Sequence, residues 1–301
     1  MPIIAADHIT KTFGSTQAVQ DISFELRAGE IMGYLGPNGA GKTTTIRMIL
    51  DILKPDSGTI AVLGGGMNEA KKNLIGYLPE ERGLYQDITL EKCLTYLALI
   101  KGMEKKDINQ RLNELLERFD LSEHRKAKVK SLSKGMQQKA QLISTFIHRP
   151  KLVIGDETFS ALDPVNTRTV KPLLFEERSR GTAIMMSTHQ MNQAEEMCER
   201  IILIDKGKII LSGMLEDVRR QFATNDLIVI ARNWIPEDFP GVVNIARENQ
   251  HLRITIQEGI DPNSILSEMI KRDIEIEHFT VAIPTLNEIF IHVIEGASAH
   301  S

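Results

Sequence analysis

Hydrophobic and polar positions change period along the chain. Up to about residue 78, short apolar runs sit between turns: Ala18 to Leu26 alternates, Arg27-Ala28-Gly29-Glu30 turns, and Ile31 to Leu35 is a continuous run of the kind a buried strand carries. Gly58 to Leu63 predicts a further strand that ends at Gly64-Gly65-Gly66. From Leu90 to about His148 the period lengthens to that of a helix, with Ile108, Leu112, Leu115, Leu116 and Phe119 on one face and charges on the other. Strand character returns at Leu152 to Ile154, Ala183 to Ser187 and Ile201 to Ile204, with helical stretches between, the order that a mostly parallel α/β core requires. Beyond about Asn225, Leu227 to Ala231, His251 to Ile256 and Glu275 to Val281 read as strands, and Pro262 to Lys271 and Leu286 to Ile294 as helices, predicting a small α+β domain. The expected domains are 1–222, with a helical insertion at about 90–148, and 223–301.

One segment carries unmistakable chemistry. Gly36-Pro37-Asn38-Gly39-Ala40-Gly41-Lys42-Thr43-Thr44 satisfies G-x-x-x-x-G-K-S/T and lies between the Ile31 to Leu35 strand and the helical run Thr44 to Leu50. In that setting the glycines let backbone N–H groups close around phosphate oxygens. Lys42 reaches the terminal phosphates of a nucleoside triphosphate, and the Thr43 hydroxyl is a natural ligand for Mg2+.

Composition narrows the rest. With 301 residues there is room for about two domains, and 42% hydrophobic content supplies a sizeable core. The net charge of -4 gives no electrostatic footprint for wholesale nucleic-acid binding, and no nucleic-acid partner is expected. Arg125, Lys126, Lys128 and Lys130 therefore read first as a solvated basic face. Cys93 and Cys198 stand far apart outside any C-x-x-C spacing, as two ordinary thiols of a reducing compartment. Met1 to Asp7 lacks a basic segment followed by an apolar core, and no run approaches eighteen apolar residues, so a membrane role needs a partner to supply the spans. Trp234 with Pro236 and Phe239 reads as packing before it reads as an interaction edge, and Ala297 to Ser301 as a frayed tail.

Four further motifs follow the phosphate loop: Leu132-Ser133-Lys134-Gly135-Met136-Gln137, Lys151-Leu152-Val153-Ile154-Gly155-Asp156-Glu157, Ser160-Ala161-Leu162-Asp163 and Met186-Ser187-Thr188-His189. In this order they resemble the signature, the Walker B strand, the loop after it and the switch histidine of the ATPase subunits of ATP-binding cassette transporters, over about residues 3 to 222. That resemblance implies a P-loop cassette core of α/β class with antiparallel β and helical subdomains.

The chemistry of the residues agrees with it. Asp156, at the end of an apolar strand, can orient the magnesium ion or its water. Glu157 can take the proton of a water attacking the γ-phosphate, and His189 can hydrogen-bond that phosphate. Ser133 is placed to start a helix running through Gln138 to Phe146, giving an N-terminus directed at an anion. The resemblance implies that Ser133 and Gly135 complete the site of a second copy, so that ATP lies between the two subunits of a head-to-tail homodimer. It also implies that Phe13 is a platform for adenine, that Asp163 lies at the nucleotide, and that the chain sits at the cytoplasmic face of a membrane beside a separate permease.

Departures from the family pattern are specific. Glu80, within Ile75-Gly76-Tyr77-Leu78-Pro79-Glu80, takes the place of the usual metal-contacting glutamine. The continuation Glu81-Arg82-Gly83-Leu84-Tyr85 resembles the sodium-export branch and related bacterial exporters, which also carry C-terminal additions. Lys134 and Met136 replace a glycine and a glutamine, Gly155 a large apolar residue, Thr158 a proline and Ala161 a glycine. The charged catalytic positions are spared, leaving room for slower turnover. The function expected is an ATPase that powers a membrane exporter; the alternatives are a soluble cassette ATPase acting on ribosome or DNA, and a weakly hydrolysing regulatory subunit.

Overall fold

The computed structural model describes residues 1–80, 83–157, 164–232, 239–248 and 251–298. It divides into two compact units, Met1–Leu215 and Glu216–Ser301. Among the described residues no helix is long and apolar enough to cross a membrane.

The first unit begins with β1 (Ile4–Phe13), β2 (Thr16–Leu26) and β3 (Ile31–Leu35), then α1 (Lys42–Ile49), β4 (Ser57–Val62), the short α2 (Glu69–Lys72) and β5 (Ile75–Leu78). Three helices follow, α3 (Leu90–Ile100), α4 (Lys105–Arg118) and α5 (Lys134–Phe146). The chain returns to the core through β6 (Leu152–Asp156), α6 (Pro164–Ser179), β7 (Ala183–Thr188), α7 (Met191–Met197), β8 (Arg200–Asp205) and β9 (Lys208–Met214).

The strands form two sheets. One is antiparallel, β2-β1-β4; the other has the order β5-β6-β7-β3-β8-β9, parallel except for β9. Every residue of β3, β6 and β7 is buried, as expected of strands covered on both faces, and this explains their unbroken apolar runs. Parallel pairing also aligns strand ends: Leu35 pairs with Thr188, and Asp156 with Ser187. Three loops therefore leave the sheet side by side at the carboxyl ends of its strands, where ligands of open α/β sheets bind.

The helical segment packs through the predicted face. Ile108, Leu112, Leu115, Leu116 and Phe119 are each at most 1% exposed. Arg111 on the same helix is also buried and donates to Glu177 of α6 at 2.7 Å. Such a pair is tolerated only because each charge neutralises the other.

The second unit contains α8 (Leu215–Gln221), β10 (Asp226–Ala231), β11 (Val242–Glu248), β12 (His251–Ile256), α9 (Pro262–Lys271), β13 (Ile276–Val281) and α10 (Leu286–Ser298). Its sheet is antiparallel, in the order β11-β12-β10-β13. Leu227, Val229, Ile254 and Ile256 form one face and pack with Ile265 and Met269 of α9. Asp261 caps α9 by accepting from the Asn263 N–H at 3.0 Å, and Pro262 fills the first helical position. Phe239 is buried in this core with the Arg272 guanidinium 4.7 Å from its ring centre, whereas Trp234 and Pro236 lie outside the described residues. The expected strands and helices are present, together with β1, β5, β9 and β11, which the hydropathy pattern did not mark out.

Candidate active site

The site is built from the ends of β3, β6 and β7. After β3 the chain closes into the phosphate loop with Gly36 at φ 156° and Gly41 at φ 105°. A Cβ on Gly36 would lie 2.2 Å from the carbonyl oxygen of Ile204, and one on Gly41 2.2 Å from that of Ala18, so neighbouring backbone excludes any side chain at either position. Gly41 is also the N-cap of α1 and offers no side-chain acceptor, which leaves the first-turn N–H groups for an anion. Lys42, the first residue of α1, is 6% exposed; its Nζ donates to the carbonyls of Gly36 and Pro37 at 2.7 and 3.0 Å.

Both acidic residues at the end of β6 face this loop. Asp156 is buried, and its Oδ1 accepts from Thr43 Oγ1 at 3.3 Å and from Ser187 Oγ at 2.7 Å. Glu157 has φ 55°, a left-handed conformation that costs a side-chain-bearing residue about 1–2 kcal/mol. Its N–H donates to both the carbonyl oxygen and the hydroxyl of Ser187 at 3.1 Å, which holds the turn. The Glu157 carboxylate lies between two partners: Oε2 is 2.7 Å from His189 Nδ1, and Oε1 is 3.0 Å from Lys42 Nζ. Lys42 Nζ thus serves two loop carbonyls and pairs by charge with Oε1, a buried atom that accepts no hydrogen bond. Beside Asp156, the Tyr77 phenol is held above its ordinary pKa, first by burial and then by the Asp156 charge.

A cleft of about 670 Å³ opens over these groups. Asn38, Gly39 and Gly41 to Thr44 line it together with Glu80, Glu157 and His189, and Gln138 and Gln141 of α5. Phe13, Ser133 and Gly135 are not part of its lining. Phe13 ends β1 with a ring 48% exposed and Lys11 Nζ 5.7 Å from its centre. Ser133 caps α5 by accepting from the Met136 N–H at 3.2 Å, with Gly135 in the first turn. Asp163 lies outside the described residues, as do Glu81, Arg82, Thr158, Ser160, Ala161 and Leu162.

In the basic run, Arg125 pairs with Glu91 at 2.5 Å and Lys130 with Asp87 at 2.7 Å. The thiol of Cys198 is buried and pushed up to about 12, chiefly by that burial, which makes it inert at neutral pH. Ala18, Gln138, Gln141 and Gln190 line the cleft outside the motifs, and Ser187, within the motif that ends at His189, had been given no role. The signal for Ser187 is its place opposite Asp156, which only the strand order supplies.

This arrangement is that of a P-loop ATPase core. A family model described as ABC transporter matches residues 19–160, and one for the C-terminal domain of DrrA1-3-like ATP-binding proteins matches residues 213–294. The chain is 37% identical to the ABC transporter ATP-binding protein YhaQ of Bacillus subtilis (strain 168), over 96% of this chain and 97% of that protein. It is 31% identical to the linearmycin resistance ATP-binding protein LnrL of the same organism, over 97% and 98% of the two chains. A solved ATP-binding subunit of an ABC transporter superposes with a TM-score of 0.69 and 31% identity, covering 73% of this chain and 93% of that one. The chain belongs to the ABC transporter ATP-binding proteins, with a DrrA-like C-terminal domain. It is an ATPase that powers a membrane transporter whose permease is a separate chain. The sodium-export branch itself is not singled out by these relatives.

Proposed function

We propose that this chain is the motor of an exporter: two copies sandwich two ATP molecules head to tail, bind a multispan permease at the cytoplasmic face of the membrane, and use hydrolysis to reopen the sandwich. The observation that carries this reading is the part-buried Glu157 carboxylate, set between Lys42 and His189 with its buried Oε1 accepting no hydrogen bond. An acceptor of that kind can take a proton from water at the γ-phosphate. Lys42 binds the terminal phosphates, His189 orients the γ-phosphate, and Phe13 stacks on adenine. Ser133 and Gly135 reach the phosphates of the opposite copy from the N-terminus of α5, and Asp163 serves the same shared interface.

The residues fit Mg2+. Thr43, Asp156 and Glu80 supply hard oxygen donors, with Thr43 Oγ1 and Asp156 Oδ1 3.3 Å apart. Bound there, the ion neutralises charge on the phosphate oxygens.

Complementation tests the sandwich. Lys42→Ala and Ser133→Arg are each expected to be inactive, the first through weak ATP binding and the second through failed dimerisation. Mixed in equal amounts, they should regain part of the wild-type rate, because one of the two heterodimer sites combines intact halves. Mixtures as inactive as the separate variants, or normal turnover by Ser133→Arg, would refute the shared site.

A further inference from the structure

Ser187 stands in the motif that ends at His189, where only the histidine was given a role, and it does not line the cleft. It is fully buried in β7, directly opposite Asp156 of β6. A buried serine needs partners, and a neighbouring backbone carbonyl commonly provides one. Here both capacities of the hydroxyl are spent on the two acidic residues: Oγ donates to Asp156 Oδ1 at 2.7 Å and accepts from the Glu157 N–H at 3.1 Å. Because Asp156 Oδ1 also accepts from Thr43 Oγ1, a continuous line of hydrogen bonds runs Thr43, Asp156, Ser187, Glu157. The first bond from Ser187 fixes the orientation of the Asp156 carboxylate. The second holds a residue whose left-handed backbone aims its side chain at Lys42 and His189.

We infer that Ser187 is a positioning residue for ATP hydrolysis, whose hydroxyl locks the Asp156 carboxylate and the Glu157 backbone into one rigid unit. The inference rests on the roles proposed above for Asp156 and Glu157. The Ser187 hydroxyl lies behind the cleft lining and acts through both neighbours. Its loss should therefore slow turnover and weaken the magnesium-dependent part of nucleotide binding, while the binding that relies on the phosphate loop alone persists.

The test compares Ser187→Thr with Ser187→Val, two side chains of nearly the same shape of which only the first keeps the hydroxyl. Measurements are kcat, KM for ATP, the affinity for a fluorescent ATP analogue with and without Mg2+, and the melting temperature. Ser187→Val should lower kcat about tenfold or more, and should lose analogue affinity only when Mg2+ is present, with KM for ATP in Mg2+ rising in step with that loss. Ser187→Thr should retain most of the wild-type rate, with the two variants melting together. Equal turnover by the two variants, an unchanged kcat in Ser187→Val, or equal losses of affinity with and without Mg2+ would overturn the inference. Should the added methyl prevent folding of both, Ser187→Ala, which removes one oxygen, is read by the same criteria. Glu157→Gln serves as the control: wild-type turnover there sinks the underlying reading of Glu157, whereas an inactive Glu157→Gln beside fully active Ser187 variants sinks only the role of Ser187.

Discussion

The two units of the chain solve burial differently, and their chemistry differs with it. In the first, β3, β6 and β7 are buried along their whole length, and parallel pairing brings their carboxyl ends level. Thr43 and Asp156, 113 residues apart, thereby come within hydrogen-bonding distance. In the second, antiparallel strands bury alternate residues such as Leu227 and Val229 against a helix, leaving the intervening positions partly exposed. A parallel sheet with covered faces offers one crowded edge at which distant loops converge. Among the described residues of the second unit, the antiparallel sheet brings together no comparable phosphate loop, acidic pair and histidine.

The sharpest way to break that comparison is to disturb each unit at its tightest point. Gly41→Ala forces a Cβ toward the Ala18 carbonyl at 2.2 Å and should cut ATP hydrolysis by about a hundredfold or more, because the first-turn N–H groups lose their aim at the phosphates. Met269→Ala in the second unit should cost that unit about 2–5 kcal/mol while leaving turnover per folded molecule unchanged. Steady-state rates beside denaturant titration separate the two effects. Next in size is the buried ion pair. Arg111→Met leaves Glu177, which is 1% exposed, with Arg180 at 2.9 Å as its remaining ion partner. It should destabilise the first unit by less than the cost of a fully unpaired buried charge, about 3–5 kcal/mol, measured as a lower urea midpoint.

Sequence legibility follows the same division. The phosphate loop was readable because its glycines and the Lys-Thr pair keep a fixed spacing within one short segment, although the carbonyls that exclude side chains at Gly36 and Gly41 come from Ile204 and Ala18. The α4 face was readable because Ile108, Leu112, Leu115, Leu116 and Phe119 keep strict helical spacing. Strand β11 was not, since Val242 to Glu248 mixes Asn, Arg and Glu into its run and pairs only through β12. Ser187 was missed because its role depends on which strand lies beside β7, and no local pattern records that. Leu84 and Tyr85 are also told apart only in three dimensions. Leu84 follows Gly83 in the segment that resembles exporters, and is 7% exposed and packed, while the next residue, Tyr85, is 51% exposed and meets Tyr96 edge-on at 5.5 Å.

A milder test uses pH. The His148 imidazole, with Nε2 3.2 Å from the Ile75 carbonyl, is pushed down to about 4, first by burial and then by the Lys101 charge. Its folded pKa lies below the unfolded value of about 6.5, so the unfolded chain takes up the proton first as pH falls. The stability due to neutral His148 is full above that value and declines as pH drops toward about 4, amounting to about 2 kcal/mol by pH 5. Urea midpoints at pH 7 and pH 5 should therefore differ less in His148→Gln than in the wild type. The smallest effect is expected at Tyr85. Tyr85→Ala should leave basal hydrolysis and melting temperature nearly unchanged while reducing permease-stimulated activity; stimulation equal to wild type removes Tyr85 from the coupling surface.

The account stands or falls on Glu157, and the measurement that reaches it most directly is the turnover of Glu157→Gln beside its ATP affinity. The amide keeps the shape of the side chain and loses the proton-accepting carboxylate. The prediction is loss of steady-state hydrolysis with ATP binding retained, accompanied by an ATP-dependent rise in molecular mass by light scattering as closed dimers accumulate. Near-normal turnover by Glu157→Gln would contradict it.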